Sequence, residues 1–342
     1  MDFDTFIAFV QSHFSDGLAL VIGSGLSAAE GMAGMGPLAA HLSAGSKVLK
    51  GDDAKLWSQI QTQLDAGDGL EASLLKHQPT PTLEDFIVRS TCSLLVPQEQ
   101  TVIGQVISGK RELRLSLLLS RLLKPAAGLP ILTTNYDRLI EVACELAGFH
   151  VDTTAIGIYA GAFDHSQSCM GSCRGIITRG KTKLLSHFPR AVVLKPHGSF
   201  DWYRFGGEAR RCSVEIDAER LIITPGLNKY RAGYDSPFDK HREMANAFID
   251  AAARLVIVGY GFNDDHLQTH LLKRIRGGVP TLILNRSAST TVVELARSAP
   301  QCVLVSKPNS FAGVSVVSGS ASFDRAGADL WDIGILTKEV LL

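Results

Sequence analysis

The chain has 342 residues, of which 45% are apolar and 20% charged, enough hydrophobic material for a sizeable buried core and too much for a disordered chain. Its 34 Lys and Arg balance 34 Asp and Glu, so no net positive field draws it to a phosphate backbone, and direct nucleic-acid binding is not expected. The acidic start Met1-Asp2-Phe3-Asp4 lacks the basic segment of a secretion signal, no apolar run is long enough to span a bilayer, and the six cysteines are scattered; together these predict a reduced, cytoplasmic protein away from membranes.

Phe3, Phe6, Ile7, Val10 and Phe14 recur at helical spacing and predict an amphipathic helix ended by Asp16-Gly17. Leu18–Ile22 is a short continuous apolar run, the pattern of a strand buried on both faces. Gly23-Ser24-Gly25 follows, then a helix from about Ser27. Residues 50–125 read as mainly helical, with Thr82 and Asp85 as a capping pair and Leu113–Leu123 apolar nearly all round. They form a helical insertion between the first and second recognisable strands. The strand–loop–helix rhythm returns at Pro130–Thr133 and recurs at Ala191–Leu194, Leu255–Val258 and Thr281–Leu284, with Cys302–Val305 a further candidate. This alternation predicts an α/β fold: a doubly wound, Rossmann-like parallel sheet with a helical insertion. The stretch 150–190 reads as loops and short strands, and 312–322 takes no assignment. One domain is expected over residues 1–310, followed by a C-terminal segment, 311–342. That tail carries Phe323, Leu330, Trp331, Ile333, Ile335, Leu336, Val340, Leu341 and Leu342, an apolar load that either serves oligomerisation or packs back on the core.

Ligands of open α/β sheets bind beyond the carboxyl ends of the strands, where this sequence places four distinctive loops. Gly23-Ser24-Gly25-Leu26-Ser27-Ala28 fits G-x-G-x-x-A, whose glycines let backbone approach a pyrophosphate or simply make a tight strand–helix turn. A dehydrogenase would add a strand ending in an acid about 20 residues on; Asp52 and Asp53 follow no such strand. Thr133-Thr134-Asn135-Tyr136-Asp137 offers polar side chains for a ligand or for capping the next helix. Lys195-Pro196-His197-Gly198-Ser199 places a histidine at a strand end, where it serves either as a general base or as a structural group. Gly259-Tyr260-Gly261-Phe262-Asn263-Asp264-Asp265-His266 combines a close turn with acids that could cap a helix, and Asn285 closes the strand Thr281–Leu284.

In that order, GSGLS, TTNYD, KPHGS and GYGFNDDH resemble the sirtuin-like family, in particular its bacterial branch without the protein-deacylase module, across residues 18–31, 130–148, 191–202 and 255–285. The resemblance implies NAD as substrate. Gly23, Ser24, Gly25, Ser27 and Thr134 would line its phosphates and ribose; Asn135 would hold the nicotinamide ribose or position water; Asp137 would contact the carboxamide; His197 would bond a ribose hydroxyl and act as general base; Gly259, Phe262, Asn263 and Asn285 would hold the adenosine half. The sequence departs from the family in two places. Gly31-Met32-Ala33-Gly34-Met35-Gly36-Pro37 stands where protein-deacylating sirtuins carry Asp-Phe-Arg, and Cys169-x-x-x-Cys173 has no second cysteine pair, so neither a structural zinc nor the small zinc domain that shapes an acyl-lysine groove is expected. Nicotinamide leaves a cationic ring as a neutral molecule through an oxocarbenium-like transition state, chemistry that needs positioning and one acceptor but no metal. The resulting expectation is an NAD glycohydrolase giving nicotinamide and ADP-ribose, linear or cyclised. The alternatives are a protein deacylase or ADP-ribosyltransferase, and a non-catalytic subunit that binds NAD or ADP-ribose. The resemblance further implies an effector of anti-phage defence, restrained as a homo-oligomer and by a partner such as a HerA-type hexameric ATPase or an Argonaute-like protein.

Overall fold

The computed structural model describes residues 1–122, 124–125, 127–225, 235–262 and 265–341. The chain opens with α1 (Phe3–His13) and β1 (Leu18–Ile22), then runs through α2 (Ser24–Ala29), α3 (Met35–Gly45), α4 (Gly51–Asp65), α5 (Leu70–Lys76), α6 (Pro81–Ile107) and α7 (Arg114–Arg121) before β2 (Leu129–Thr133). Next come α8 (Leu139–Leu146), β3 (His150–Asp152), β4 (Ala155–Ile156), β5 (Ala160–Phe163), α9 (His165–Gly171), β6 (Cys173–Arg179), β7 (Thr182–His187), β8 (Arg190–Leu194), β9 (Gly198–Phe205), β10 (Glu208–Cys212) and β11 (Glu219–Ile222). The last part holds α10 (Phe238–Ala251), β12 (Arg254–Val258), α11 (Asp265–Arg276), β13 (Thr281–Leu284), α12 (Thr290–Ser298), β14 (Cys302–Ser306), β15 (Gly313–Ser318), β16 (Ala321–Ala326) and α13 (Ile333–Val340).

The main sheet has the order β16-β15-β14-β13-β12-β1-β2-β8-β3. Every pairing from β14 across to β3 is parallel. The chain leaves β1 on one side toward β2 and returns on the other through β12, so the strand order reverses at β1 and opens a crevice above it. Side chains of β1 explain its unbroken apolar run: Leu18, Leu20 and Ile22 enter one core, while Ala19 and Val21 enter the core on the opposite face. The helical insertion between β1 and β2 starts before residue 50, since α3 packs with the later helices in a small core of its own around Leu42, Trp57, Ile60, Leu74 and Leu83.

Several local expectations are corrected. The cap of α6 is Thr80, which accepts from Leu83 N at 3.1 Å with Pro81 at the first helical position, rather than Thr82 with Asp85; Asp85 instead pairs with Arg89 on the surface. Helix α2 begins at Ser24, not Ser27, because extended Gly23 is its cap residue. Helix α1 ends at His13, before Asp16-Gly17. The unassigned stretch 312–322 is the start of a β15–β16 hairpin that adds antiparallel to β14. The apolar tail packs on its own chain: Leu330, Ile333, Leu336 and Val340 are buried in the main core, and the Phe323 ring lies 6.3 Å from Phe3 and 6.2 Å from Phe6. Residues 150–222 build more regular structure than their composition suggests, a five-stranded antiparallel sheet in the order β11-β9-β10-β5-β4 and the separate β6–β7 hairpin.

One buried carboxylate ties the end of α2 to the insertion and the tail. Glu30, only 3% exposed at its side chain, takes Arg111 Nη2 at 2.6 Å and Arg114 N at 2.9 Å, while Arg114 Nε reaches Asp332 at 2.7 Å. Removing Glu30 takes the carboxylate from Arg111 and the acceptor from Arg114 N, while the Arg114 guanidinium keeps Asp332 and both arginines have some access to water. Glu30→Ala is expected to cost about 3 kcal/mol in urea unfolding, with Glu30→Gln milder because it keeps an acceptor for Arg114 N. A loss below about 1 kcal/mol for the alanine variant would show that both arginines relax into solvent.

Candidate active site

The loops after β1 and β12 meet backbone to backbone. Gly23 N donates to Val258 O, Gly25 N to Gly259 O and Gly259 N to Leu284 O, each at 2.9 Å. A Cβ on Gly23 would lie 2.3 Å from Gly259 O, and one on Gly25 would lie 2.7 Å from Gly259 Cα. Gly259 itself has φ +61°, and its Cβ would lie 2.6 Å from Leu26 N. Loop-on-loop contact therefore demands all three glycines before any ligand is considered.

On one side of this contact, β2 delivers the TTNYD loop. Asn135 N donates to Thr133 Oγ1 at 3.0 Å, and Asn135 Nδ2 donates to Gly23 O at 3.0 Å and to Ser27 Oγ at 2.8 Å. A backbone carbonyl only accepts, which fixes the amide orientation. Asn135 Oδ1 is left buried without a hydrogen-bond partner. Ser27 Oγ in turn donates to Asp137 Oδ2 at 2.7 Å, and Leu139 N donates to Asp137 Oδ1 at 3.2 Å, so Asp137 also caps α8 in part. Burial pushes the Asp137 carboxyl above its ordinary range, opposed by the Lys195 charge and the Ser27 hydrogen bond. On the other side, β13 ends in Asn285, whose Nδ2 donates to Tyr260 O at 3.1 Å and whose Oδ1 is likewise buried without a partner.

Behind the TTNYD loop lie charges that the motif reading missed. Glu99, fully buried on α6, accepts from Arg138 N and pairs with Arg138 Nη2 at 2.6 Å, pinning the loop to the insertion. Lys195 at the end of β8 pairs with Glu141 at 2.8 Å and donates to the Asp137 carbonyl and to Ser199 Oγ. His241 on α10 accepts from Lys195 N through Nδ1 at 3.0 Å, so its proton sits on Nε2, 2.8 Å from Thr154 Oγ1. Burial, reinforced by the Lys195 charge, holds His241 down to about 3, and it is neutral. Glu99 stands between Gln98 and Gln100 in the sequence, so its burial leaves no local signal.

A cleft of about 230 Å³ opens above these loops and is lined by Ser24, Ser27, Thr134, Asn135, Asp137 and His197. Met32, Met35, Leu38 and Leu95 give it an apolar wall from the insertion, and Phe200 and Ile223 close it from the smaller sheet. Its described lining holds the carboxylates Glu71 and Asp137 and no Lys or Arg. His197 arrives through Gly198, whose φ of +85° admits no side chain, since a Cβ there would lie 2.1 Å from Leu221 O. Gly23, Gly25, Gly259 and Asn285 underpin the cleft from the neighbouring strand ends. Phe262, with φ +57°, turns its ring into the core against Tyr260 rather than lining the cleft. Asn263 and Asp264 lie outside the described residues. Cys169 Sγ accepts from Arg190 Nη1 at 2.9 Å, Cys173 Sγ donates to Gly175 O, and among the described residues no group of three or more His, Cys, Asp or Glu is placed to hold a metal.

The loop contact predicts a sharp contrast between glycines. Gly259→Ala, strained in φ and set against backbone, is expected to cost about 2–4 kcal/mol of stability. Gly34→Ala, with φ −88° and nothing within 4 Å of the added Cβ, should be neutral in the same thermal unfolding measurement. Equal stability of the two variants would show that the loops separate freely.

Solved structures that match the chain include one titled "Sir2-p53 peptide-NAD+", 12% identical over 85% of this chain and 89% of that chain, with a TM-score of 0.42. Another, titled "Sir2 bound to acetylated peptide", is 11% identical over 100% of this chain and 98% of that chain, with a TM-score of 0.43. No curated protein sequence matches the chain significantly. Residues 130–287, which carry the TTNYD, KPHGS and GYGF loops and Asn285, match the family model of the SIR2-like domain.

Proposed function

We propose that the chain cleaves NAD at the bond between nicotinamide and ribose, releasing nicotinamide and ADP-ribose. The observation that carries this reading is the pair of bare carbonyls, Asn135 Oδ1 and Asn285 Oδ1, set on either side of the Gly23–Gly259 contact. Each asparagine spends its NH2 on the neighbouring loop's backbone and keeps a buried acceptor. A buried acceptor without a donor is costly, and a dinucleotide supplies hydroxyl donors on a ribose at each end. The match to the SIR2-like domain supports the same assignment, as does the absence of Lys and Arg from the described lining, which suits the cationic nicotinamide ring.

In this reading Asn135 holds the nicotinamide ribose without adding charge, and Asn285, with the Gly259 loop, holds the adenosine half. Gly23, Ser24, Gly25 and Thr134 line the ribose and phosphates. The C1′–N bond breaks with its electron pair going to the nicotinamide nitrogen, which leaves neutral, while positive charge moves to the ribose. Water adds at C1′ and gives its proton to His197. The apolar wall from Met32, Met35, Leu38 and Leu95 limits bulk water. The catalytic unit spans residues 1–310 in this reading, with 311–342 completing its core. The motif resemblance also supports a setting, an NAD-depleting effector of anti-phage defence kept in check within a homo-oligomer or by a partner such as a HerA-type ATPase.

Asn135→Ala and His197→Ala are each expected to lower nicotinamide release from NAD about 100-fold or more in a chain that still unfolds cooperatively. Turnover comparable to the parent chain in either folded variant would contradict the assignment.

A further inference from the structure

The hairpin β6–β7 stands apart from both larger sheets and pairs with no other strand among the described residues. Its middle is apolar on both faces. Ile176 lies opposite Leu185 and Ile177 opposite Leu184; neighbouring residues of a strand face opposite ways, so one pair covers each face. All four side chains are between 46% and 63% exposed. The hairpin's charges are of one sign, Arg174, Arg179, Lys181 and Lys183, and no Asp or Glu occurs from His165 to Phe200. A lone two-stranded hairpin is marginal in water, and clustered exposed aliphatic side chains mark an interaction surface.

A groove toward the far edge of the main sheet has the complementary character. It is a cavity of about 600 Å³ between α1, the β15–β16 hairpin and α13. Buried Leu330 and Val340 and partly buried Phe3 and Ile7 give it an apolar lining, to which Asp4 and Glu339 add exposed carboxylates. The one cation in its described lining, Arg325, lies over the Phe3 ring at 3.6 Å. The chain's own hairpin is exposed and does not fill this groove. It leads into β8, and seven strand spacings, about 33 Å, separate β8 from β16.

We propose that the β6–β7 hairpin of one copy docks in the groove between α1 and α13 of a second copy. The aliphatic side chains of the hairpin meet the apolar lining, and the basic turn meets Asp4 and Glu339. Each chain carries the hairpin toward one edge of its sheet and the groove at the other, so the contact is head to tail; it repeats until it closes into a ring or grows as a filament. Two other occupants fit less well. The turn places Arg179, Lys181 and Lys183 ahead of the apolar band, where a hydrocarbon layer would have to take charge first. A phosphate backbone recruits the cations but gives the four aliphatic side chains nothing to cover them. This names the contact surface for the homo-oligomer in the reading above, and it rests on that part of the reading alone.

The test is the mass of the full chain by light scattering, up to its highest soluble concentration, with thermal unfolding showing that each variant folds. The parent is expected to run well above the mass of one chain. Ile176→Ser with Leu185→Ser, at exposed hairpin positions, is expected to be monomeric, and so is Asp4→Lys with Glu339→Lys in the groove. Mixed together, these two variants are expected to give a dimer and nothing larger, since one intact hairpin and one intact groove remain between them. Lys181→Glu with Lys183→Glu is a second hairpin variant that leaves the aliphatic residues in place. It is expected to be monomeric alone and to assemble again when combined in one chain with Asp4→Lys and Glu339→Lys. A monomeric parent, hairpin or groove variants of parental mass, or a mixture that stays monomeric would overturn the docking. Hairpin-dependent binding of a monomeric parent to phosphatidylserine vesicles would also overturn it and assign the hairpin to a lipid surface. None of these readouts uses NAD, so failure of the hydrolase reading leaves the docking standing, and a monomeric parent leaves the hydrolase reading standing.

Discussion

The architecture of the site depends on backbone meeting backbone between two neighbouring loops. Strands β1 and β12 are adjacent and parallel, so their loops leave the sheet at the same edge and compete for the same space. Glycine at 23, 25 and 259 resolves that competition by removing every Cβ from the contact. The approach also builds a ladder across four strand ends: Asn135 bonds Gly23, Gly25 bonds Gly259, Gly259 bonds Leu284, and Asn285 bonds Tyr260. The loops hold one another, and the two asparagine oxygens stay buried without a hydrogen-bond partner. A rigid scaffold with a few unsatisfied acceptors is what a positioning site requires.

Buried charge holds this ladder in register with the rest of the molecule. Glu99 reaches from α6 to Arg138, Lys195 reaches from β8 to Glu141 and to the carbonyl of Asp137, and Glu30 joins the end of α2 to Arg111 and Arg114. Burying such groups is costly, and the pairs add little net stability. They connect three separate parts of the chain, the insertion, the parallel sheet and the tail, to the loops that follow β1 and β2. The helical insertion is thereby part of the site, since it supplies both the Glu99 anchor and the apolar wall of the cleft.

Much of the parallel sheet was legible because its strands are buried on both faces. Runs such as Leu18–Ile22 and Thr281–Leu284 have no polar alternation to confuse them with other elements. The loops after them stood out for the same reason, as polar and glycine-rich interruptions of apolar runs. Residues whose partners lie far away in sequence were not legible. Glu99 meets Arg138 at a separation of 39 residues, and His241 meets Lys195 at 46, so neither role leaves a local pattern. The strand β9 was missed because its sequence, Gly-Ser-Phe-Asp-Trp-Tyr-Arg-Phe, follows the KPHGS loop without a break and buries polar Ser199 and Asp201 beside Trp202. The glycines of the first loop were read as room for a pyrophosphate or as a tight strand–helix turn; their nearest obligation is the Gly259 loop, a contact that the G-x-G pattern alone does not reveal.

The most direct measurement is a crystal structure of the chain with a non-hydrolysable NAD analogue whose nicotinamide is joined to a carbocyclic ribose. The account predicts one analogue molecule across the ladder, with a hydroxyl of the nicotinamide-side ring on Asn135 Oδ1, a hydroxyl of the adenosine ribose on Asn285 Oδ1, and His197 facing the C1′ position. An analogue bound elsewhere, or bound with both asparagine oxygens still unpaired, would contradict it.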